Sequence, residues 1–218
     1  MKRNLKKFYE KKKKEIEVAI IIMGIIFLIL ILRLFIIGGL TAFLVLDGEK
    51  AQVWEDNQIN HYSWYMGESA KEEYVNKWDM DESIFPDKIR NEMDVLDYKM
   101  VYYNPWDEQY LSYLVVEYQE TDYERELLRL REYESTPYKG YYGAEGFDKE
   151  YTLLAMEADP YYGLIYALAT ENNKIVYVEL IFCNYFMDID YRNMIDERYL
   201  PIGFDATVDN PYRKQKLE

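Results

Sequence analysis

One run of apolar residues near the N-terminus constrains this chain more than any other feature. Residues 18–46 contain a single charge, Arg33. A hydrocarbon core of about 30 Å needs about 20 helical residues, so this run is long enough for one transmembrane helix. A secretory signal peptide also begins with basic residues, but its apolar region usually has about 7 to 15 residues and ends at a small-residue cleavage site, which is not evident here. We therefore expect an uncleaved membrane anchor.

The charges that flank this run predict its orientation. The basic head, residues 1–17, carries eight Lys and Arg, whereas residues 47–56 carry only Lys50. Basic flanks remain in the cytoplasm, so we expect a single-pass protein of the cell membrane with its C-terminal part outside and its head near anionic lipid. Residues 47–218 hold 17 Lys and Arg against 37 Asp and Glu, a formal charge of −20. This acidity argues against nucleic acid as a partner, because phosphate contacts dominate such binding.

Arg33 has two interpretations. At the bilayer centre it would cost about 2.5 to 3.5 kcal/mol on insertion scales. The long run allows the helix to slide until residues 18–37 span the bilayer and Arg33 reaches the interface, which leaves residues 38–46 as an apolar stalk. Alternatively, Arg33 pairs with an acidic group in the transmembrane helix of a partner, and the chain is then a subunit of a larger membrane complex.

The outer part is predicted to be an α+β domain with a small antiparallel sheet and one main packing helix. We expect a stalk over residues 47–96 with short helices near 69–78 and 86–93, a compact domain over 97–209 that folds without the stalk, and a polar tail over 210–218. A capping-box spacing at residues 121–124 predicts the start of the main helix, which should end before Thr136 and Pro137. Five strands are predicted from runs of Tyr, Val, Leu and Ile, at residues 98–103, 110–118, 151–158, 164–170 and 175–186.

The last two predicted strands form a hairpin. Asn172 and Asn173 are suited to a two-residue turn, which would place Glu171 opposite Lys174. Register then decides which side chains share a face, because successive residues alternate between the two sides of a sheet. In this register the helix-facing side carries Ile165, Ala167, Ala169, Val176, Val178 and Leu180. The opposite side is amphipathic and carries Leu164, Tyr166, Leu168, Tyr177, Glu179 and Ile181.

The composition leaves little room for familiar catalytic or metal chemistry. A single Cys and a single His exclude disulfide frameworks, multi-thiolate sites and His clusters. Cys183 lies in a predicted strand and His61 in the predicted stalk, so we do not expect them to form a nucleophile–base pair. No Gly-rich loop stands between a strand and a helix, and we expect no cofactor. The acidic runs at 79–82 and 188–190 lack the Gly and distal Glu of an EF-hand loop, so they predict a solvated surface.

Three aromatic loops are the most prominent candidates for binding a partner. Tyr and Trp give much contact area at a small entropy cost, which suits recognition surfaces. Alternatively, these rings border the core or lie against lipid headgroups, because the chain has 24 Tyr in all. The loop residues are Tyr102, Tyr103, Trp106, Tyr141, Tyr142, Tyr161 and Tyr162.

These observations favour a non-enzymatic, membrane-anchored interaction protein outside the cytoplasm. It would be an accessory subunit of an envelope complex or a sensor-like module that binds an envelope protein or glycan. One alternative is an envelope hydrolase that acts through paired carboxylates, and another is a carbohydrate-binding module at the cell surface. A cleft with two facing carboxylates would favour the hydrolase, whereas a shallow aromatic patch would favour binding.

Overall fold

The computed structural model describes residues 12–13, 22–39, 53–75 and 77–217. The chain divides into two compact units, residues 1–50 and 51–218. Most of the predicted basic head lies outside the described residues, as do both ends of the predicted apolar run. The predicted polar tail is described as far as residue 217.

The first unit contains helix α1, Ile22–Gly39, with a mean hydropathy of 2.7. Its 18 residues are about 27 Å long, so the helix is long and apolar enough to cross a membrane, although a signal sequence near the N-terminus would meet the same criteria. Arg33 is exposed on this helix, six residues before Gly39. The apolar helix is thus confirmed, and its orientation stays a prediction.

The second unit contains a six-stranded antiparallel sheet, which confirms the predicted α+β class. The order across the sheet is β1-β2-β3-β6-β5-β4, and every neighbouring pair is antiparallel. Five of the strands match the predicted ones, and β1 adds a short edge strand beside β2. The strands are β1 (Trp54–Asp56), β2 (Met93–Tyr103), β3 (Gln109–Tyr118), β4 (Thr152–Asp159), β5 (Gly163–Thr170) and β6 (Lys174–Ile181).

Helix α3 (Glu120–Arg131) is the main packing helix, as predicted, and it buries Leu127 and Leu130 against one face of the sheet. The capping-box prediction at Thr121 is wrong, because the helix already begins at Glu120 and its N-cap is Gln119. Single turns of 3-10 helix occur at 59–61, 72–74, 77–79, 82–84, 141–143, 191–193 and 197–199. The α-helices of this unit are α2 (Tyr62–Tyr65), α3 (Glu120–Arg131) and α4 (Pro211–Leu217).

The hairpin register differs by one residue from the predicted one. Thr170, not Glu171, is paired with Lys174, so the connection has three residues. Asn172 and Asn173 do adopt positive φ angles, of 63° and 55°. A shift of one residue moves every side chain of one strand to the other face. The helix side therefore carries Ile165, Ala167, Ala169, Ile175, Tyr177 and Ile181, and the opposite side Leu164, Tyr166, Leu168, Val176, Val178 and Leu180.

The segment predicted to be a stalk belongs to the sheet domain from Trp54 onward. β1 pairs with β2, and the side chains of Tyr62, Tyr65 and Phe85 are buried in the same core cluster as Leu127. The predicted helices at 69–78 and 86–93 are absent from the described residues, where only single turns form. The physical reason is that α3 is too short to cover one face of a six-stranded sheet, so irregular chain rich in Tyr and Met covers the remainder.

The opposite face of the sheet is buried too, although an amphipathic surface was predicted there. It is covered by the segment that follows β6, through Met187, Ile189 and Phe204, and by the loop that holds Tyr142. Strands buried on both faces carry almost continuous apolar residues, which explains the composition of β3, β5 and β6.

We predict that a fragment of residues 53–217 unfolds in one cooperative transition, whereas residues 97–209 do not. The shorter fragment cuts β2, removes the cover of one sheet face and leaves buried Glu179 without Lys77. Thermal unfolding followed by circular dichroism would measure this. A sharp transition of the shorter fragment at the temperature of the longer one would contradict the assignment of residues 54–86 to the core.

Candidate functional site

Six partly exposed aromatic rings form a continuous series at the end of the sheet where β4 turns into β5 and where β6 ends. Successive ring centroids lie 4.9 to 5.9 Å apart. We name this series the aromatic strip. In spatial order it consists of Trp78, Tyr162, Tyr161, Tyr185, Tyr212 and Tyr141.

The turn between β4 and β5 presents the centre of the strip. Asp159 Oδ1 accepts hydrogen bonds from the backbone N–H groups of Tyr161, at 2.7 Å, and Tyr162, at 2.9 Å. Asp side chains often close turns in this way. β5 begins at Gly163, where φ is +110° and a Cβ atom would collide with the carbonyl oxygen of Leu180. Glycine is therefore required for the close approach of the two strands beside the tyrosines.

A tight turn after β6 presents the next ring. Asn184 and Tyr185 have φ angles of 59° and 68° between the bridged residues Cys183 and Phe186. The Tyr161 hydroxyl donates to Asn184 Oδ1 at 2.6 Å, and this bond ties the two turns together. Asn tolerates the left-handed region, whereas the bulky side chain of Tyr disfavours it.

The C-terminal residues complete the strip. Asn210 is fully buried, and its Nδ2 donates to the carbonyl oxygen of Tyr185 at 2.8 Å. Asn210 Oδ1 accepts from the backbone N–H of Arg213, which holds the start of α4. Tyr142 lies beneath, with its ring 5.4 Å from that of Tyr212 and its hydroxyl donating to the Pro160 carbonyl.

Strained backbone is concentrated at this site. Within the described ranges, eight non-glycine residues have positive φ, and three of them are Asn. The other five lie in the strip, beneath it or beside Trp78. Such conformations cost about 1 to 3 kcal/mol each and persist where the surrounding structure imposes them, often at functional sites. They are Lys77, Trp78, Asp79, Tyr142 and Tyr185.

A buried charge cluster fixes the backbone next to Trp78. Lys77 is 1% exposed, and its Nζ lies 2.9 Å from Glu179 Oε1 and also contacts the Glu82 carboxylate. The Ser112 hydroxyl donates to Glu179 Oε2 at 2.7 Å. The following residue, Trp78, donates from Nε1 to the carbonyl oxygen of Glu108 at 2.8 Å. These contacts orient Trp78 so that it stacks on Tyr162.

Two carboxylates share one ammonium group in this cluster, and this arrangement shifts the pKa values of Glu82 and Lys77. Burial raises the pKa of Glu82 to about 7; Lys77 opposes this rise and the negative charge of Glu179 adds to it. Burial alone would lower the pKa of Lys77, but the carboxylates of Glu179 and Glu82 outweigh it and raise that pKa. Between about pH 4.5 and 7 the cluster therefore holds a proton that an exposed glutamate would have released.

The aromatic residues singled out from the sequence separate into groups. Tyr141, Tyr161 and Tyr162 belong to the strip, and Tyr142 supports it from below. Outside the strip, Tyr102 packs against Tyr74 and Tyr110, Tyr103 borders the second core cluster, and Trp106 is 58% exposed in the loop between β2 and β3.

Sequence reasoning missed three members of the strip: Trp78, Tyr185 and Tyr212. They lie in segments that were predicted to be a stalk, a strand and a polar tail. A local signal exists only for Tyr185, where the preceding Asn184 is suited to a left-handed turn. The other two join the strip through contacts with distant parts of the chain.

The remaining chemically active side chains do not converge. Cys183 is buried, and burial together with the nearby Asp107 carboxylate raises its pKa to about 12, so the thiol is not a ready nucleophile. His61 contacts Asp56 at 2.8 Å and stacks on Trp64. Over the described ranges, no three His, Cys, Asp or Glu side chains are placed to hold a metal ion.

Comparison of the chain with protein-family models, with curated proteins and with solved structures gave no match.

We predict that the free energy of unfolding falls as the pH rises from about 4.5 to 7. The ordinary pKa of Glu82 is 4.5 and its pKa in the folded protein is about 7, so in this window the folded state binds more protons than the unfolded state. The pKa difference corresponds to a loss of up to about 3 kcal/mol. Urea unfolding of the detergent-solubilised protein, followed by tryptophan fluorescence at several pH values, measures it.

The variant Glu82→Gln should lose most of this pH dependence and should be more stable than the wild type at pH 8. Glu68→Gln is the matched control, because Glu68 is an exposed glutamate of the same segment. Parallel pH profiles for the wild type and Glu82→Gln would refute the assignment of the buried proton.

Proposed function

We propose that this chain is a membrane-anchored extracytoplasmic interaction protein and that the aromatic strip is its binding surface. The observation that carries this proposal is the strip itself, in which partly exposed rings are held by strained backbone and a buried charge cluster. Tyr and Trp dominate the energetics of interfaces, and rigid aromatic side chains lose little entropy on binding. A surface of this kind suits recognition of another macromolecule.

The first unit supports the anchored part of the proposal. Helix α1 is apolar, residues 1–17 carry eight Lys and Arg against three Glu, and residues 47–218 carry a formal charge of −20. A basic head retained in the cytoplasm would place the sheet domain outside, in contact with other envelope components. The protein would then act as an accessory subunit of an envelope complex or as a sensor-like binding module.

A carbohydrate ligand is less well supported by the ring geometry. A glycan platform needs ring faces that lie side by side in one plane. Here Tyr161 meets both Tyr162 and Tyr185 at 79°, and Trp78 lies parallel to Tyr162 and covers one of its faces. Crossed rings leave edges, hydroxyls and single faces for contact, which suits a polypeptide better.

A hydrolase has one observation in its favour, which is the raised pKa of Glu82 beside a surface depression of about 290 Å³. A raised pKa is typical of a general acid. However, the neighbouring carboxylate, Glu179, is fully buried against Lys77 and Ser112, so it does not face a substrate. We therefore prefer the binding function.

We predict that Tyr161→Ala abolishes most crosslinking of this protein to its partners in intact cells. The substitution removes the central ring of the strip and its hydrogen bond to Asn184. The measurement is the yield of crosslinked species with a membrane-impermeant reagent, which also reports that the domain is outside. Loss of an interface hot spot of at least about 2 kcal/mol would lower affinity about 30-fold.

Trp106→Ala is the matched control, since Trp106 is an exposed aromatic residue outside the strip. It should leave the crosslinks unchanged. Loss of crosslinks with Trp106→Ala but not with Tyr161→Ala would move the binding surface to the loop between β2 and β3. The absence of any crosslink to the wild type would refute the proposed orientation or the binding function.

Contact between Arg33 and a transmembrane partner is the alternative to an interfacial position of Arg33, and partner recovery distinguishes the two. If Arg33 pairs with an acidic group of the partner in the bilayer, Arg33→Leu leaves that group unpaired and weakens the complex. Because the long apolar run allows Arg33 to reach the interface instead, we expect equal recovery of partners with wild type, Arg33→Leu and Arg33→Lys after purification in mild detergent. Selective loss with Arg33→Leu would establish the paired-charge interpretation.

A further inference from the structure

Three carboxylates near the aromatic strip lack a basic partner. Asp107 accepts a hydrogen bond from Asn184, Asp159 closes the turn at Tyr161, and Glu108 accepts from the Tyr110 hydroxyl. None of the three forms an ion pair with a described Lys or Arg, whereas ten other described carboxylates do. The strip is therefore bordered by three carboxylates that form no ion pair with a described Lys or Arg.

Two cations of helix α4 lie over aromatic rings in or beside the strip. The Arg213 guanidinium is 4.7 Å from the ring centroid of Phe186, next to Tyr185, and Lys216 Nζ is 5.4 Å from that of Tyr212. Both distances are within the range of a cation–π interaction. Helix α4 has seven residues and buries none of them, so it is held chiefly by Asn210, Tyr212 and these cations.

We propose that the partner contributes a basic polypeptide segment to the aromatic strip, and that the cations of α4 act as an intramolecular competitor at the end of the strip, beside Phe186 and Tyr212. The proposal rests on the binding function proposed above and names its ligand. Arg and Lys of the segment would lie on the open faces of Tyr161 and Tyr162, close to Asp107 and Asp159. Arg213 and Lys216 already make the same kind of contact from within the chain.

The charge of the domain favours the same ligand. Residues 47–218 carry a formal charge of −20, which would attract a basic segment over a distance and repel an acidic one. Attraction of this kind is not specific by itself. Specific binding requires the rings as well, and the rings can be changed without altering the charge.

The test is fluorescence polarisation with full-length protein in a non-ionic detergent at 150 mM salt, about the physiological ionic strength. The probes are a labelled nonapeptide of repeated Arg-Gly-Ser, its Gln and Glu counterparts, and a neutral oligosaccharide of β-1,4-linked N-acetylglucosamine. We expect binding of the Arg peptide alone. Tyr161→Ala and Asp107→Asn should each weaken it at least about fivefold, whereas Trp106→Ala should not.

The double variant Arg213→Gln/Lys216→Gln tests the competitor. It keeps Tyr212 and should tighten binding of the Arg peptide at least about threefold relative to a control double variant. The control is Lys88→Gln/Arg131→Gln, which removes the same charge from exposed positions outside the strip. Equal tightening in both double variants would overturn the role of α4. Asp107→Asn removes the charge and keeps the size of the side chain, so it keeps the test decisive even if Tyr161→Ala is unstable.

Several outcomes would overturn the ligand class. Equal binding of the Gln or Glu peptide would do so, as would Arg-peptide binding that is insensitive to Tyr161→Ala and Asp107→Asn. Binding of the oligosaccharide that depends on Tyr161 would replace the basic segment with a glycan. If Tyr161→Ala abolishes crosslinks in cells while the Arg peptide shows no preference, the binding function stands and only the ligand class fails.

Discussion

The ion cluster of Lys77, Glu82 and Glu179 is the interaction on which the rest of the domain depends. It joins the irregular segment between β1 and β2 to β6, and the hydroxyl of Ser112 in β3 donates a hydrogen bond to Glu179. A charge buried without a partner is strongly destabilising, by about 3 to 5 kcal/mol when one partner is removed. The segment that holds Lys77 must therefore pack against the sheet, which is why residues 54–86 form part of the core.

The same cluster accounts for the surface nearby. Lys77 is fixed below the surface. The next residue, Trp78, has a left-handed backbone conformation, and its ring stacks on that of Tyr162. The turn at Tyr185 is strained in a similar way. Conformational strain opposes folding, and its concentration around one row of partly exposed rings is the feature on which the proposed binding role rests.

The charge distribution along the chain agrees with the proposed ligand. The head is basic, α1 is apolar, and residues 47–218 carry a formal charge of −20. Asp107, Glu108 and Asp159 bring this acidity to the aromatic strip, and none of the three forms an ion pair with a described Lys or Arg. A basic partner segment would meet both features at once, and α4 supplies an internal example of the contact through Arg213.

The sequence by itself determined the apolar helix, five of the six strands and the position of α3, because each depends on composition and periodicity within a short segment. The register of the last hairpin was off by one residue, since the turn could hold two or three residues with Asn172 and Asn173 left-handed in either case. Only the tertiary structure decided that the supposed stalk joins the core and that the six rings of the strip meet. Both outcomes depend on contacts between residues far apart in the sequence, and the composition and periodicity of a short segment do not predict such contacts.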